Sequence, residues 1–336
     1  MKHLIFLFVD HFEPKEPSDI EAWMARYPRM AERFADASGR RPRHTWFYDA
    51  ADPAVLDALG ELCRAGYGEI ELHLHHSFDT ADGFREKIEE RKRVYAEHGA
   101  LITVGETPVR TFGFIHGKWS LDNSRGEAHC GVNNELQLLR ESGCYADFTF
   151  PAWGAMQPSM TNAIYYAADD PAKPKSYDTG HRVAVGEKSS GDLMIFQGPG
   201  RLSGVPRKAA CVPGLTWLAD HLMLTCGVAA HQPPTPSRID RWVNANVHVE
   251  GRPEWVFVKV HAHGARGADF ETFFGRPAAV MHEHLSRRYD DGANWRLHYA
   301  TARETFNIVK AAEAGKTGDP DDYRDFAITP YRNTAG

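Results

Sequence analysis

The stretch Lys2 to Pro14, KHLIFLFVDHFEP, decides the fold. Its apolar run from Leu4 to Val9 shows no alternation, as expected of a strand buried on both faces of a parallel sheet, and it ends abruptly in Asp10, His11 and Glu13. In parallel α/β folds the carboxyl ends of the strands open onto the ligand-binding face, so ionisable groups at this point mark a functional edge. The run is too short for a secretory leader and lacks a small-residue cleavage site. No stretch approaches the roughly 20 apolar residues that a membrane span requires.

Working outward, strands and helices alternate. Ser18 with Glu21 forms a capping box, and Ile20, Trp23, Met24, Met30 and Phe34 recur at helical spacing toward Gly39. His44 to Tyr48 reads as a second strand, and Asp52-Pro53 opens a helix that closes at Gly66. Further strands are predicted at Ile70 to His75, Arg110 to Ile115, Tyr145 to Phe150 and Trp255 to Val260. Helices are predicted at Phe84 to His98, Glu135 to Ser142, Ile239 to Val247, Phe270 to Arg288 and Thr301 to Ala314. The pattern predicts a single α/β domain over 1–336, a distorted (β/α) barrel of seven or eight strands. From about 152 to 214 the pattern lapses into Pro, Gly, Lys and Asp, and this reads as a long loop insertion over one barrel face.

Composition narrows the function classes. The 336 residues are 42% hydrophobic and 25% charged, which fits a globular protein with a large core. Thirty-nine basic against 45 acidic residues, with no run of either sign, argue against a nucleic-acid partner. Five cysteines without a CxxC pair suggest reduced thiols and a cytoplasmic setting. The 18 histidines are the surplus to explain. Most are expected to be surface or packing residues, but several group where apolar runs end.

Within Glu69 to Ser77, EIELHLHHS, the strand period of two puts His73 and His75 on one face. Two imidazoles side by side repel when both are charged, whereas one divalent ion takes both as neutral ligands. With Asp10 ending another strand they form a candidate two-histidine, one-carboxylate set with open positions for water and substrate. In Val256 to Gly264, VFVKVHAHG, His261 and His263 again share a face, as further ligands or as a general acid. In Phe112 to Ser120, His116 ends a strand beside Lys118 and Trp119, a cation and a flat aromatic suited to a sugar ring. Asp147 and Trp153 are weaker candidates of the same type.

In order, VDHFEP, EIELHLHHS, FGFIHGKW and VFVKVHAHG resemble the motif succession of the NodB-type polysaccharide deacetylases, within the glycoside hydrolase/deacetylase superfamily. The resemblance covers most of the chain. It implies a distorted (β/α) barrel, a Zn-type divalent ion (Fe, Ni, Co or Mn being alternatives) and removal of an acyl group, acetyl first, from an amino sugar, polysaccharide or glycoconjugate precursor. Asp10 matches the family's catalytic Asp, and His11 stands where the neighbouring ligand Asp is found. His73 matches the first histidine ligand; the position four residues on is Ser77, which leaves His75, or else His76, as the second. His261 matches the general acid. His116-Gly-Lys118-Trp119 replaces the family's Arg-Pro segment. The resemblance thus gives Asp10, His11, His73 and His75 to the metal, Asp10, Glu13 and His261 to catalysis, and His116, Lys118 and Trp119 to substrate. Asp10 is kept as both ligand and base, with Glu13 the alternative base. Two rival readings are a glycosidase using Asp10 with Glu13 or Asp147, and a metal-free carbohydrate-binding pseudoenzyme.

Overall fold

The computed structural model describes residues 1–152, 154–187, 191–200 and 226–334; Trp153, Cys211 and part of the 152–214 stretch lie outside the described residues. The protein is a mixed α/β fold built around a large, mostly parallel sheet. β1 (Lys2–Phe12) is its central strand. β9 (Trp255–Ala262) pairs with it from His3 to Asp10. Its other edge takes β10 (Trp295–Ala300) along residues 2–7 and then β2 (His44–Tyr48) along residues 9–12. From β2 the parallel order continues through β3 (Gly68–Leu74), β4 (Phe112–His116), β5 (Cys144–Asp147) and β8 (Leu193–Phe196). β6 (Ile164–Ala167) and β7 (Gly180–Arg182) extend it antiparallel beyond β8.

The sheet curls so that β8 comes back to β9. The Phe196 and Phe257 rings stand 5.8 Å apart, and the Lys259 ammonium, pointing inward, donates to the carbonyls of Phe148 and Phe150. Buried without a carboxylate in hydrogen-bond reach, that ammonium is pushed down to about 8 by desolvation.

Alternation along each strand separates two cores. Leu4, Phe6, Phe8 and Phe12 pack outward against Ile20, Trp23 and Tyr27 of α1 (Pro17–Ala31) and against the other helices. Ile5, Leu7 and Val9 pack inward with Phe47, Ile115, Phe148 and Phe257. Two carboxylates share that inner space. Glu69 accepts from Arg303 Nε at 2.9 Å and Thr301 Oγ1 at 2.6 Å, while Glu71 accepts from Tyr145 Oη, the Gly113 amide and Tyr331 Oη. With no cation among these partners, burial pushes the Glu71 carboxyl up to about 8.

Several local expectations are revised. The first helix starts at Pro17, not after a Ser18 cap, because proline suits the first helical position; the Asp19 carboxylate accepts from the Glu16 amide, and the helix ends at Ala31 rather than near Gly39. The helix expected over Phe270 to Arg288 is broken at Gly275, where a Cβ would stand 1.8 Å from Glu271 Oε1. β10 was not anticipated. The stretch read as loop-rich holds three strands in its described part, of which β8 is a parallel member of the sheet. By contrast Asp52 caps the helix Pro53–Arg64 through the Ala54 amide, and Thr301 caps Ala302–Glu313, as their sequences require.

Candidate metal centre

Strand parity sorts the polar residues at the carboxyl ends of the strands. On β1 the inward set that contains Ile5, Leu7 and Val9 continues with His11, and Glu13 follows just past the strand. On β3 the inward set of Glu69 and Glu71 continues with His73, and His75 follows. These side chains meet. His73 Nε2, His75 Nε2 and Glu13 Oε1 form a triangle with all three sides 3.1 Å. A tetrahedral zinc centre with bonds of about 2.0 Å sets its ligand atoms about 3.3 Å apart, so the spacing of these three donors would suit a divalent ion.

The outer partners support that fit. His73 is fully buried and its Nδ1 lies 2.7 Å from the Ile115 carbonyl; a carbonyl only accepts, so Nδ1 carries the hydrogen and Nε2 presents its lone pair. The exposed His75 ring lies flat against the Cα of Gly117, where a Cβ would stand 2.5 Å from Cγ and Nδ1. Burial raises the Glu13 carboxyl, but the neighbouring His73 and His75 imidazoles outweigh it and hold the group well below the usual carboxylate range. Asp49, just past β2, feels the same three groups; its carboxyl is raised by burial and by Glu13.

The remaining imidazoles line the approach. His11 stacks on His263 with ring centres 4.8 Å apart and meets His73 edge-on at 5.1 Å. Burial and the neighbouring His263, His73 and His261 push His11 well below its ordinary value, so it is neutral near pH 7. His263 is lowered by burial and Arg266, with Asp10 and Glu13 opposing. A cleft of 300 Å³ opens here, lined by His11, Glu13, Lys15, Asp19, His263 and Arg266 among others. Trp119 stands beside it, 6.3 Å from His11 and 6.5 Å from His263; its indole Nε1 is buried with no hydrogen-bond partner among the described residues. Lys118 is exposed, and both residues adopt left-handed backbone, φ +56° and +55°. His261 is farther off, 6.2 Å from His11, with Nδ1 facing Cys226 Sγ at 3.3 Å; burial, Lys259 and His263 push it down to about 3.

Three residues singled out in the sequence turn elsewhere. Asp10 has the parity of Phe8 and Phe12 and points into the helical layer, where Oδ2 meets His44 Nε2 at 2.9 Å and Oδ1 accepts the Gly264 amide at 2.6 Å. It thereby fixes the loop that follows β9 and carries His263. His116 has the parity of Phe112 and Phe114 and is fully buried. Asp147 accepts from Thr149 and is likewise buried away from the cleft. His116 belongs to a second group, with His76, Cys130 and Glu135, all buried and with donor atoms within 4.8 Å of one another. Asp49, Cys130 and Glu135 carried no motif in the sequence; a carboxylate one residue past a buried strand was the available signal for Asp49.

Among the described residues, no helix is long and apolar enough to cross a membrane, and Cys63, Cys130, Cys144 and Cys226 are free and buried. No family model matches the chain, and no curated protein sequence matches it. Among solved structures, it is similar to a "putative polysaccharide deacetylase" from Mycobacterium smegmatis at 12% identity and a TM-score of 0.43, over 94% of this chain and 92% of that one. A 4-alpha-glucanotransferase from Thermococcus litoralis gives 12% identity and a TM-score of 0.43 over 88% of this chain, which spans 39% of that enzyme.

Proposed function

We propose that the protein is a metal-dependent hydrolase that removes an acyl group, acetyl in the first instance, from an amino sugar, polysaccharide or glycoconjugate precursor. The observation that carries this reading is the three-donor triangle of Glu13, His73 and His75 at the edge of a cleft, since three protein ligands with a free position are the pattern of a hydrolytic rather than a structural centre. Glu13 takes the carboxylate place that the sequence resemblance offered to Asp10. A divalent ion held by these three residues would supply Lewis acidity for an acyl carbonyl and for water.

The chain's own residues supply the rest. The neutral imidazoles of His11 and His263 face the triangle and are in the protonation state to accept the proton of an attacking water. His263 then returns it to the leaving amine or alkoxide. Of His261 and His263 it is the one that lines the cleft together with Glu13, while His261 Nδ1 stands against Cys226 Sγ. Asp10, through Gly264, keeps that loop in register. A Cβ at Gly264 would stand 2.1 Å from Asp10 Oδ2 and could not be accommodated. Trp119 beside the cleft offers a ring face to a sugar, and Lys15 and Arg266 give the cleft a cationic wall.

Acetate release from a panel of acetylated amino-sugar oligomers and acetyl esters tests the reading. Release is expected to stop on chelation and to return with added Zn²⁺ or Co²⁺; His263→Ala is expected to lose more than His261→Ala. Hydrolysis that survives both chelation and the His73→Ala, His75→Ala double change sinks the proposal.

A further inference from the structure

The second donor group is assembled from four places: His76 just past β3, His116 at the end of β4, Cys130 in the following loop, and Glu135, first residue of α4 (Glu135–Glu141). His76 Nε2 and His116 Nε2 are 2.8 Å apart, and Glu135 Oε1 lies 3.1 Å from the first and 3.5 Å from the second. Cys130 Sγ closes the group, 3.5 Å from Glu135 Oε2.

His116 Nδ1 lies 2.6 Å from the Gly117 carbonyl and therefore carries its hydrogen, which leaves Nε2 as a lone pair. His76 Nδ1 lies 3.2 Å from the Asp79 carboxylate, off hydrogen-bond geometry, and that negative charge favours the hydrogen on Nδ1. Two imidazole lone pairs and a carboxylate oxygen then converge on one point away from water. One added proton satisfies a single contact of the three. A shared cation satisfies all of them.

We propose that His76, His116, Cys130 and Glu135 bind a transition-metal ion, Zn²⁺ by the chemistry of the donors, in a closed structural site separate from the cleft. Four protein donors leave no position for water, which is the mark of a structural centre. A thiolate among them selects against Mg²⁺ and Ca²⁺. Two neutral imidazoles, a thiolate and a carboxylate make a divalent ion electrically neutral, so the buried centre carries no net charge. On binding, the Cys130 thiol proton leaves to solvent. The surroundings suit this: the Val132 amide points at Cys130 Sγ from 3.4 Å, the Asp122 amide donates to Glu135 Oε2 at 2.6 Å, and the Cys130 carbonyl accepts from Asp79. The ion would tie the ends of β3 and β4 to the loop before α4, one residue from His75.

Cobalt reports a bound thiolate directly. The full-length protein, stripped of metal and reloaded with Co²⁺ alone, is expected to show an intense sulfur-to-cobalt charge-transfer band and the strong visible absorption of a tetrahedral ion. Cys130→Ser is expected to lose the charge-transfer band and about one metal equivalent per chain; His73→Ala with His75→Ala is expected to keep the band. Wild-type protein that takes up cobalt without a thiolate band, or none at all, overturns the proposal, and that result needs no variant to fold. A band that persists in Cys130→Ser also overturns it.

Discussion

Two sets of metal-type donors flank the end of β3, one residue apart in the chain, and they differ in what closes them. His73 and His75 look into a cleft, and Glu13 is their third partner; the fourth side is open. His76 turns the other way, toward the helical layer, and meets three more donors with no solvent beside them. On the proposed reading the same residue type takes two roles according to which side of the sheet it falls on. Openness suits chemistry, and closure suits holding strand ends together.

The sharpest way to break the contrast is to remove one donor from each set. His73→Ala is expected to lower kcat/KM by more than the roughly 10–100-fold that losing an outer partner of a metal costs, while the unfolding midpoint moves little. Steady-state acetate release and denaturant unfolding measure the two effects. Glu135→Ala is expected to do the reverse. It takes one ligand charge from the proposed buried centre and leaves the ion uncompensated, and a loss of about 3–5 kcal/mol in unfolding free energy is expected with activity retained in the folded fraction.

A third change tests the inner face beneath His73. Glu71, raised to about 8 by burial, is protonated in the folded protein and ionises near 4.5 when unfolded. Its contribution is therefore fully present below pH 4.5 and is lost as pH rises through 8, at up to about 1.4 kcal/mol for each pH unit. Unfolding titrations from pH 5 to 8 are expected to show this decline and a flatter profile in Glu71→Gln, with both metal equivalents kept. The smallest effect is expected from Gly117→Ala. The added methyl pushes the His75 ring aside while the carbonyl that holds His116 stays, so metal affinity at the cleft falls about tenfold and the buried centre keeps its ion; equilibrium dialysis reads both.

The α/β alternation, the β2 boundaries and the Asp52 cap were legible because each rests on local chemistry. The pairing of His73 with His75 was legible too, since a period of two operates within one strand. Which of Asp10 and His11 faces inward was not: Leu4 to Val9 is apolar on both faces, and such a run carries no signal of which side is the interior. β10 is not legible because Arg296 and His298 interrupt its apolar pattern, and their partners are distant in sequence, Asp319 for Arg296 and His3 for His298. Cys130 and Glu135 join His76 and His116 through folding alone, with no ligand spacing to announce them.

The most direct measurement is metal content per chain alongside acetate release in wild type, in His73→Ala with His75→Ala, and in Cys130→Ser. Two equivalents are expected in wild type and about one in each variant, with hydrolysis lost in the histidine variant and kept in folded Cys130→Ser. Equal metal content in the wild type and the histidine variant, or hydrolysis undiminished by that change, would contradict a catalytic ion held by Glu13, His73 and His75.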